Sequence, residues 1–234
     1  MTKRAIILAG GKGTRLKPYT ISLPKPLIPI GEMPILEIII RQLKKSGFEH
    51  ITITVNHMAE IIKAFFGDGS KWNIKIDYTI ELKPLSTMGP LTLINDLPDN
   101  FLVMNGDVLT DLNYCDFYNM HLATSSNFTI ASYRRLEKID FGVLTNNLEN
   151  QLIEFAEKPS YNYLVSMGVY MVSKEIVNNI PGDTFFGFDH LMKLLIEKSE
   201  FPSIYEYDGY WLDIGRPEEY EKAVNDIDRI NLTL

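Results

Sequence analysis

The sequence predicts an α/β fold in which a mixed, mainly parallel sheet is flanked by helices and carries a small antiparallel β extension. Three observations lead there. Apolar runs of strand length alternate with amphipathic helix-length segments through the first half of the chain. The first of these runs empties into a glycine-rich loop, the kind of junction at which open α/β sheets take their ligands. From Phe128 onward, short β-rich segments follow one another across turns.

Residues 5–9 (AIILA) read as a buried parallel strand, and it runs directly into Gly10, Gly11 and Gly13. Glycines at that point let backbone N–H groups approach an anion closely. Pro18, Pro24, Pro26 and Pro29 argue against a helix in the stretch that follows, which is expected as an extended, stiffened loop over the sheet edge. Residues 34–45 begin with proline, space Ile35, Leu36, Ile39 and Leu43 as a helix face, and end near Gly47. Residues 51–55 are the second strand, 59–66 a helix closed by Gly-Asp-Gly-Ser, and 74–80 an alternating strand. A short helix is expected after Gly89, and residues 101–105 form a central strand that ends at Gly106 and Asp107. Residues 128–133, 141–144, 152–155 and 165–172 make up the antiparallel extension. Helices resume at about 187–197 and 217–230, the last with Pro217 at its first position and Glu218 and Glu219 in its first turn. The whole is a Rossmann-like pattern.

Composition narrows the function. A chain of 234 residues suits a single domain over residues 1–234, and 45% hydrophobic content argues against disorder. The net charge of −7, without any basic run, argues against nucleic acid as a partner. Phosphates must therefore be met by local cations. Cys115 is the only cysteine, which excludes an intrachain disulfide and suits a reducing, cytoplasmic setting. No stretch has the length of a signal peptide or membrane span, so no membrane partner is expected. There is no internal repeat, and no second domain is expected after Leu234.

The residues with chemistry cluster at three places. The string LAGGKGTRLKPYTISLPKPLIP, residues 8–29, reads as a phosphate cradle in which Arg15 offers a planar fork of donors and Lys25 a point charge. Its spacing is neither that of the P-loop nor that of the dinucleotide fingerprint. Asp107 follows the strand FLVMN, where a carboxylate faces the ligand crevice of a doubly wound sheet; alone it reads equally as a turn residue. Asp213 stands among Tyr210, Trp211, Leu212 and Ile214, where an unpaired carboxylate is costly, so a metal, a capping role or Arg216 must meet it. Two carboxylates from the two halves of the chain, completed by phosphate oxygens and water, form a set that magnesium accepts. His57 lacks a second ligand at metal spacing, adjacent Asp189 and His190 fall on different helix faces, and the aromatic residues from Phe185 to Phe188 read as core or subunit contact.

The segment GGKGTRLKPYTISLPKPLIPIGEMPIL resembles the signature of the sugar-1-phosphate nucleotidyltransferases, especially their mannose-1-phosphate guanylyltransferase-like branch; WLDIGRPEE resembles the closing motif of that family. The resemblance implies an enzyme that joins a nucleoside triphosphate to a sugar 1-phosphate and releases pyrophosphate, with Mg2+ as cofactor. It implies Asp107 and Asp213 as metal ligands, and Arg15, Lys25 and Lys158 as the cations acting on the phosphates. Leu8, Gly10, Gly11, Gly13, Thr14, Arg15, Lys25, Gly89 and Asp107 would line the nucleotide site. EFAEKPS and VSMGVY resemble the segments that hold the sugar, which implies Glu157, Lys158 and Gly168 there. The chain departs from the family at Met167, where a small or amide residue is usual, and at Ser86 and Met88 in PLSTMGP, the loop that meets base and sugar in relatives. The Pro-Lys-Pro around Lys25 favours GTP with a mannose- or heptose-type sugar, and CTP, UTP or dTTP with another sugar remain alternatives. A catalytically silent nucleotide-sugar-binding subunit is a rival of another class, opposed by the presence of all five charged residues. A glycosyltransferase is disfavoured because NGDVLTD lacks an Asp-x-Asp. Many members of the family associate, so a homo-oligomer stays open.

Overall fold

The structure is a computed structural model that describes residues 2–231. Strand β1 (Lys3–Leu8) is an interior strand of a seven-stranded sheet and leads into the proline-rich loop. That loop ends in a small ladder of β2 (Pro29–Ile30) and β3 (Met33–Pro34), and helix α1 (Ile35–Lys45) follows at once. Next come β4 (Phe48–Val55), α2 (Ala59–Phe66), β5 (Lys75–Ile80) and β6 (Asn100–Asn105). A short strand β7 (Val108–Thr110) and α3 (Tyr114–Ala123) precede the long β8 (Phe128–Lys138). A hairpin of β9 (Val143–Asn146) and β10 (Leu152–Ala156) leads to β11 (Ser160–Ser173). The remainder is α4 (Lys174–Val177), α5 (Phe188–Glu197), β12 (Ser203–Tyr207), β13 (Trp211–Asp213), α6 (Pro217–Asn225) and α7 (Ile227–Asn231).

The main sheet has the order β12-β8-β11-β6-β1-β4-β5. Strands β6, β1, β4 and β5 pair in parallel, β12 pairs in parallel with β8, and β11 runs against both of its neighbours. Both faces are covered, which explains why β1 is a continuous apolar run rather than an alternating one. Ala5 and Ile7 enter one core with Leu36, Ile39 and Leu43 of α1, while Ile6 enters the other with Phe101, Phe128 and Leu191. The sheet brings the carboxyl ends of β1 and β6 side by side, with Leu8 opposite Asn105. That edge is where the glycine loop and Asp107 meet.

Several expectations need correction. Residues 128–133 and 165–172 lie inside the main sheet as parts of β8 and β11; the true extension is their outer ends together with the separate β9–β10 ladder. The proline-rich loop is not wholly extended: single 3-10 turns form at Thr14–Leu16 and Lys25–Leu27, because proline near the start of one turn forfeits no hydrogen bond. The helix expected over 217–230 breaks at Asp226 into α6 and α7. The sequence pattern predicts neither helix α3 nor strand β12; α3 is capped by the Asn113 side chain, which accepts from the N–H groups of Cys115 and Asp116. No helix among the described residues is long and apolar enough to cross a membrane.

Candidate active site

The two carboxylates meet through a ladder of three residue pairs. Strand β13 pairs antiparallel with β7, setting Asp213 opposite Val108, and the N–H of Ile214 donates to the carbonyl of Asp107 at 3.0 Å. Asp107 and Asp213, far apart in sequence, thus become neighbours at one end of the ladder. Burial first, and then the charge of Asp107, pushes the Asp213 carboxyl up from 3.8 to about 6; Lys25 and Arg15 pull the other way. Lys25 Nζ contacts Asp107 Oδ2, and both side chains are largely buried. The other oxygen, Oδ1 of Asp107, is buried and meets no donor among the described residues.

That orphaned oxygen beside a second carboxylate under like-charge stress tests the residues against a divalent cation, and they fit. Buried acceptors without donors are costly, and a hard cation satisfies them. Two carboxylates are few ligands, which suits magnesium because it keeps water and phosphate oxygens in its shell. No group of three or more metal-ligating side chains occurs among the described residues.

The loop places Lys25 by doubling back on itself. Gly13 has φ +61°, and its carbonyl accepts from Thr20 Oγ1 at 2.8 Å; a Cβ there would lie 2.8 Å from Thr20 Cγ2 and 3.3 Å from Lys25 Cβ. Helix α6 braces the same loop, as the Tyr220 hydroxyl donates to the Pro29 carbonyl at 3.1 Å and its ring lies 5.0 Å from that of Tyr19. Arg15 and Thr14 are exposed in the first turn. The Arg15 guanidinium lies across Gly215, 3.2 Å from where a Cβ would stand, so it belongs to the Asp213 side of the site.

A cleft of about 460 Å3 opens over the carboxyl ends of β1 and β6. It is lined by Leu8, Gly10, Gly11 and Asp107 from the expected set. At Gly10 a Cβ would fall 2.5 Å from Glu81 Oε1, so the glycine lets that carboxyl group lie close against the loop. Sequence reasoning missed Lys12, Asn56, Glu81, Asn105 and Phe185, which also line the cleft. Phe185 therefore departs from the core role expected for its aromatic run, whereas Phe186 and Phe188 do pack against the core. Burial raises the Glu81 carboxyl above its usual range, and Asn56 Nδ2 donates to the Glu81 carbonyl at 2.7 Å. Asn105 could have been found from its place two residues before Asp107; nothing in the sequence singles out Glu81.

The remaining expected residues lie apart from the cleft lining. Gly89 is buried, donates to the Phe186 carbonyl at 2.9 Å and packs 2.7 Å, by its missing Cβ, from the Thr184 carbonyl. Gly168 has φ +74° at a bulge in β11, and a Cβ would fall 2.6 Å from Asn105 Nδ2, so it backs a cleft residue rather than lining the cleft. Glu157 and Lys158 are exposed between β10 and β11, and no hydrogen bond or ion pair among the described residues engages Lys158. Asp213 lines a second hollow of about 610 Å3, with Tyr133, Arg135, Trp211 and Arg216.

Comparison with known proteins gives this geometry its family. A nucleotidyl transferase family model matches residues 4–229. A UTP–glucose-1-phosphate uridylyltransferase of Synechocystis is 30% identical over 96% of this chain and 63% of its own length. A mannose-1-phosphate guanylyltransferase of Mycobacterium tuberculosis is 29% identical over 96% of this chain and 64% of its own. The chain thus spans a little under two thirds of the length of these curated relatives. Among solved structures, HddC from Yersinia pseudotuberculosis is 27% identical with a TM-score of 0.75, covering 97% of this chain and 100% of that one. A second structure of HddC, complexed with GMP-PN, superposes with a TM-score of 0.71. From its matched residues and its sheet, this chain belongs to the nucleotidyl transferase family.

Proposed function

We propose that residues 1–234 act as a single catalytic unit that condenses a nucleoside triphosphate with a sugar 1-phosphate, giving a nucleoside diphosphate sugar and pyrophosphate. The observation that carries this reading is the Asp107–Asp213 pair at the end of the β7–β13 ladder, with Lys25 on one carboxylate and the other carboxylate's hollow opening separately. Two hollows, one lined by each aspartate, suit two anionic substrates.

An oxygen of the sugar 1-phosphate attacks the α-phosphorus, the bond to the bridging oxygen breaks, and pyrophosphate departs with that electron pair. The nucleophile is already an anion, so no general base is needed, and positioning with charge stabilisation does the work. Asp107 and Asp213 would hold Mg2+, which would supply positive charge to offset that of the phosphates. Lys25 passes from Asp107 to the α-phosphate region, Arg15 neutralises the departing pyrophosphate, and the unpartnered Lys158 holds the incoming phosphate. Backbone N–H groups at Gly10, Gly11 and Gly13 cradle the triphosphate.

GTP is the favoured nucleotide, with a mannose- or heptose-type sugar. Glu81 supports this choice: a carboxylate in the cleft is an acceptor for the donor-bearing edge of guanine. Relatives named as a guanylyltransferase and as a uridylyltransferase both match the chain, so uridylyl transfer to a glucose-type sugar is the second reading. Pyrophosphate release measured for GTP, UTP, CTP, dTTP and ATP against a panel of sugar 1-phosphates tests both. Release with GTP and a mannose- or heptose-type phosphate supports the first reading, release with UTP and glucose 1-phosphate the second. Nucleotide binding without pyrophosphate from any pair would leave the silent binding subunit in place of both.

A further inference from the structure

The motif NGDVLTD contains a second aspartate that the reaction does not use. Asp111 stands just beyond the far end of β7, four residues from Asp107. Its backbone N–H donates to the Tyr210 carbonyl at 3.2 Å, and its Oδ1 accepts from the Tyr210 N–H at 2.5 Å. The same Oδ1 contacts the Tyr207 hydroxyl, and Oδ2 accepts from Arg229 Nη2 at 3.2 Å. Arg229 also lies over the Tyr210 ring, 5.0 Å from its centroid, and Thr110 Oγ1 donates to the Tyr210 carbonyl at 2.7 Å. The Asp111 side chain therefore adds a further pair to the β7–β13 ladder and closes the end opposite Asp107 and Asp213.

This closure matters because the ladder has only three backbone pairs and belongs to no larger sheet. Isolated two-stranded pairings are marginal in water, and a slip of one residue turns every side chain to the opposite face. Such a slip would carry Asp213 away from Asp107. We propose that Asp111 is a positioning residue for the metal-holding pair: by clamping Tyr210 and Tyr207 it fixes the register that sets Asp213 beside Asp107. The proposal rests on the reading of Asp107 and Asp213 as that pair. It also gives α7 a task, since Arg229 orients the clamp from the C-terminal side.

Mn2+ titration, followed by the electron paramagnetic resonance signal of the free ion, tests this without turnover. Wild type should bind Mn2+. Asp111→Ala should bind it about tenfold more weakly, the lower end of what loss of an outer partner costs a metal site. Asp111→Asn keeps an oxygen for Tyr207 and Tyr210 and should stay within about threefold of wild type. His121→Ala loosens the buried contacts of His121 with Thr129 and Asn100, remote from the ladder, and should leave Mn2+ affinity unchanged. If Asp111→Ala fails to fold by circular dichroism, Tyr207→Phe removes one donor on Oδ1 and should itself weaken Mn2+ about threefold. A folded Asp111→Ala with wild-type Mn2+ affinity, or such a Tyr207→Phe where Asp111→Ala does not fold, overturns the proposal. Absence of Mn2+ binding by wild type overturns instead the reading of the pair on which it rests.

Discussion

Asp213→Asn should make the metal-free protein more stable while removing a residue the proposed reaction needs. Burial and the charge of Asp107 raise the Asp213 carboxyl from 3.8 to about 6, so at neutral pH its ionised form is a cost to the fold. At 1.36 kcal/mol per pH unit the whole rise corresponds to about 3 kcal/mol. Water on the open side of the hollow screens part of that, leaving about 1–2 kcal/mol. Because the folded value exceeds the unfolded one, the stabilisation this group contributes is fully present below pH 3.8 and is lost as pH rises through about 6. An amide suffers no such loss. For a chain of this size 1 kcal/mol moves the midpoint by about 2–4 °C, so the variant should melt roughly 2–8 °C above wild type at alkaline pH. Near the unfolded value of 3.8 the two should melt together. Thermal melts by circular dichroism in chelator, stepped from acid to alkaline pH, measure the difference. A variant that melts at or below wild type in the alkaline range refutes the like-charge account. Added magnesium and nucleotide should reverse the order, since only wild type gains from them.

Other substitutions separate the remaining roles. Arg15→Ala should cost at least about tenfold in pyrophosphate release, since charge-assisted phosphate contacts are worth roughly 1.5–3 kcal/mol. Lys158→Met should raise the KM for sugar 1-phosphate by about tenfold, on the same energy scale, while nucleotide affinity measured by calorimetry stays unchanged. Gly168→Ala forces a Cβ to within 2.6 Å of Asn105 Nδ2 at φ +74°. It should cost about 1–3 kcal/mol of stability and, by moving Asn105, weaken nucleotide binding as well.

The sequence made the framework legible where one physical requirement dominates. The run AIILA is buried on both faces, and only an interior parallel strand meets that condition; α1 announces itself by proline at its start and a regular apolar face. Asp107 and Asp213 could be picked out because a carboxylate at a strand end or among large apolar residues demands a partner. Their adjacency is implied by the family resemblance, which gives both to one metal; the means, β13 crossing back to β7, is not legible because no local spacing encodes that pairing. Helix α3 escaped notice because its apolar residues form no clear face and its stability comes from the Asn113 cap and tertiary packing. Strand β12 is a short edge whose Ser203–Tyr207 pattern is only partly buried. Glu81, Lys12 and Phe185 reach the cleft from three separate segments, so no local spacing unites them. Gly89 shows the reverse case: a motif position expected to meet the nucleotide is held inside by the Phe186 and Thr184 carbonyls.

The claim that Asp107 and Asp213 act as one unit in the proposed reaction is tested most directly by magnesium-dependent pyrophosphate release. Wild type, Asp107→Asn, Asp213→Asn and the double variant would be compared on the best substrate pair. Residues that act as a unit lose nearly everything at the first substitution, so each single variant should fall by about 10³-fold and the double variant no further. Magnesium-dependent turnover within about tenfold of wild type in either single variant would contradict the account.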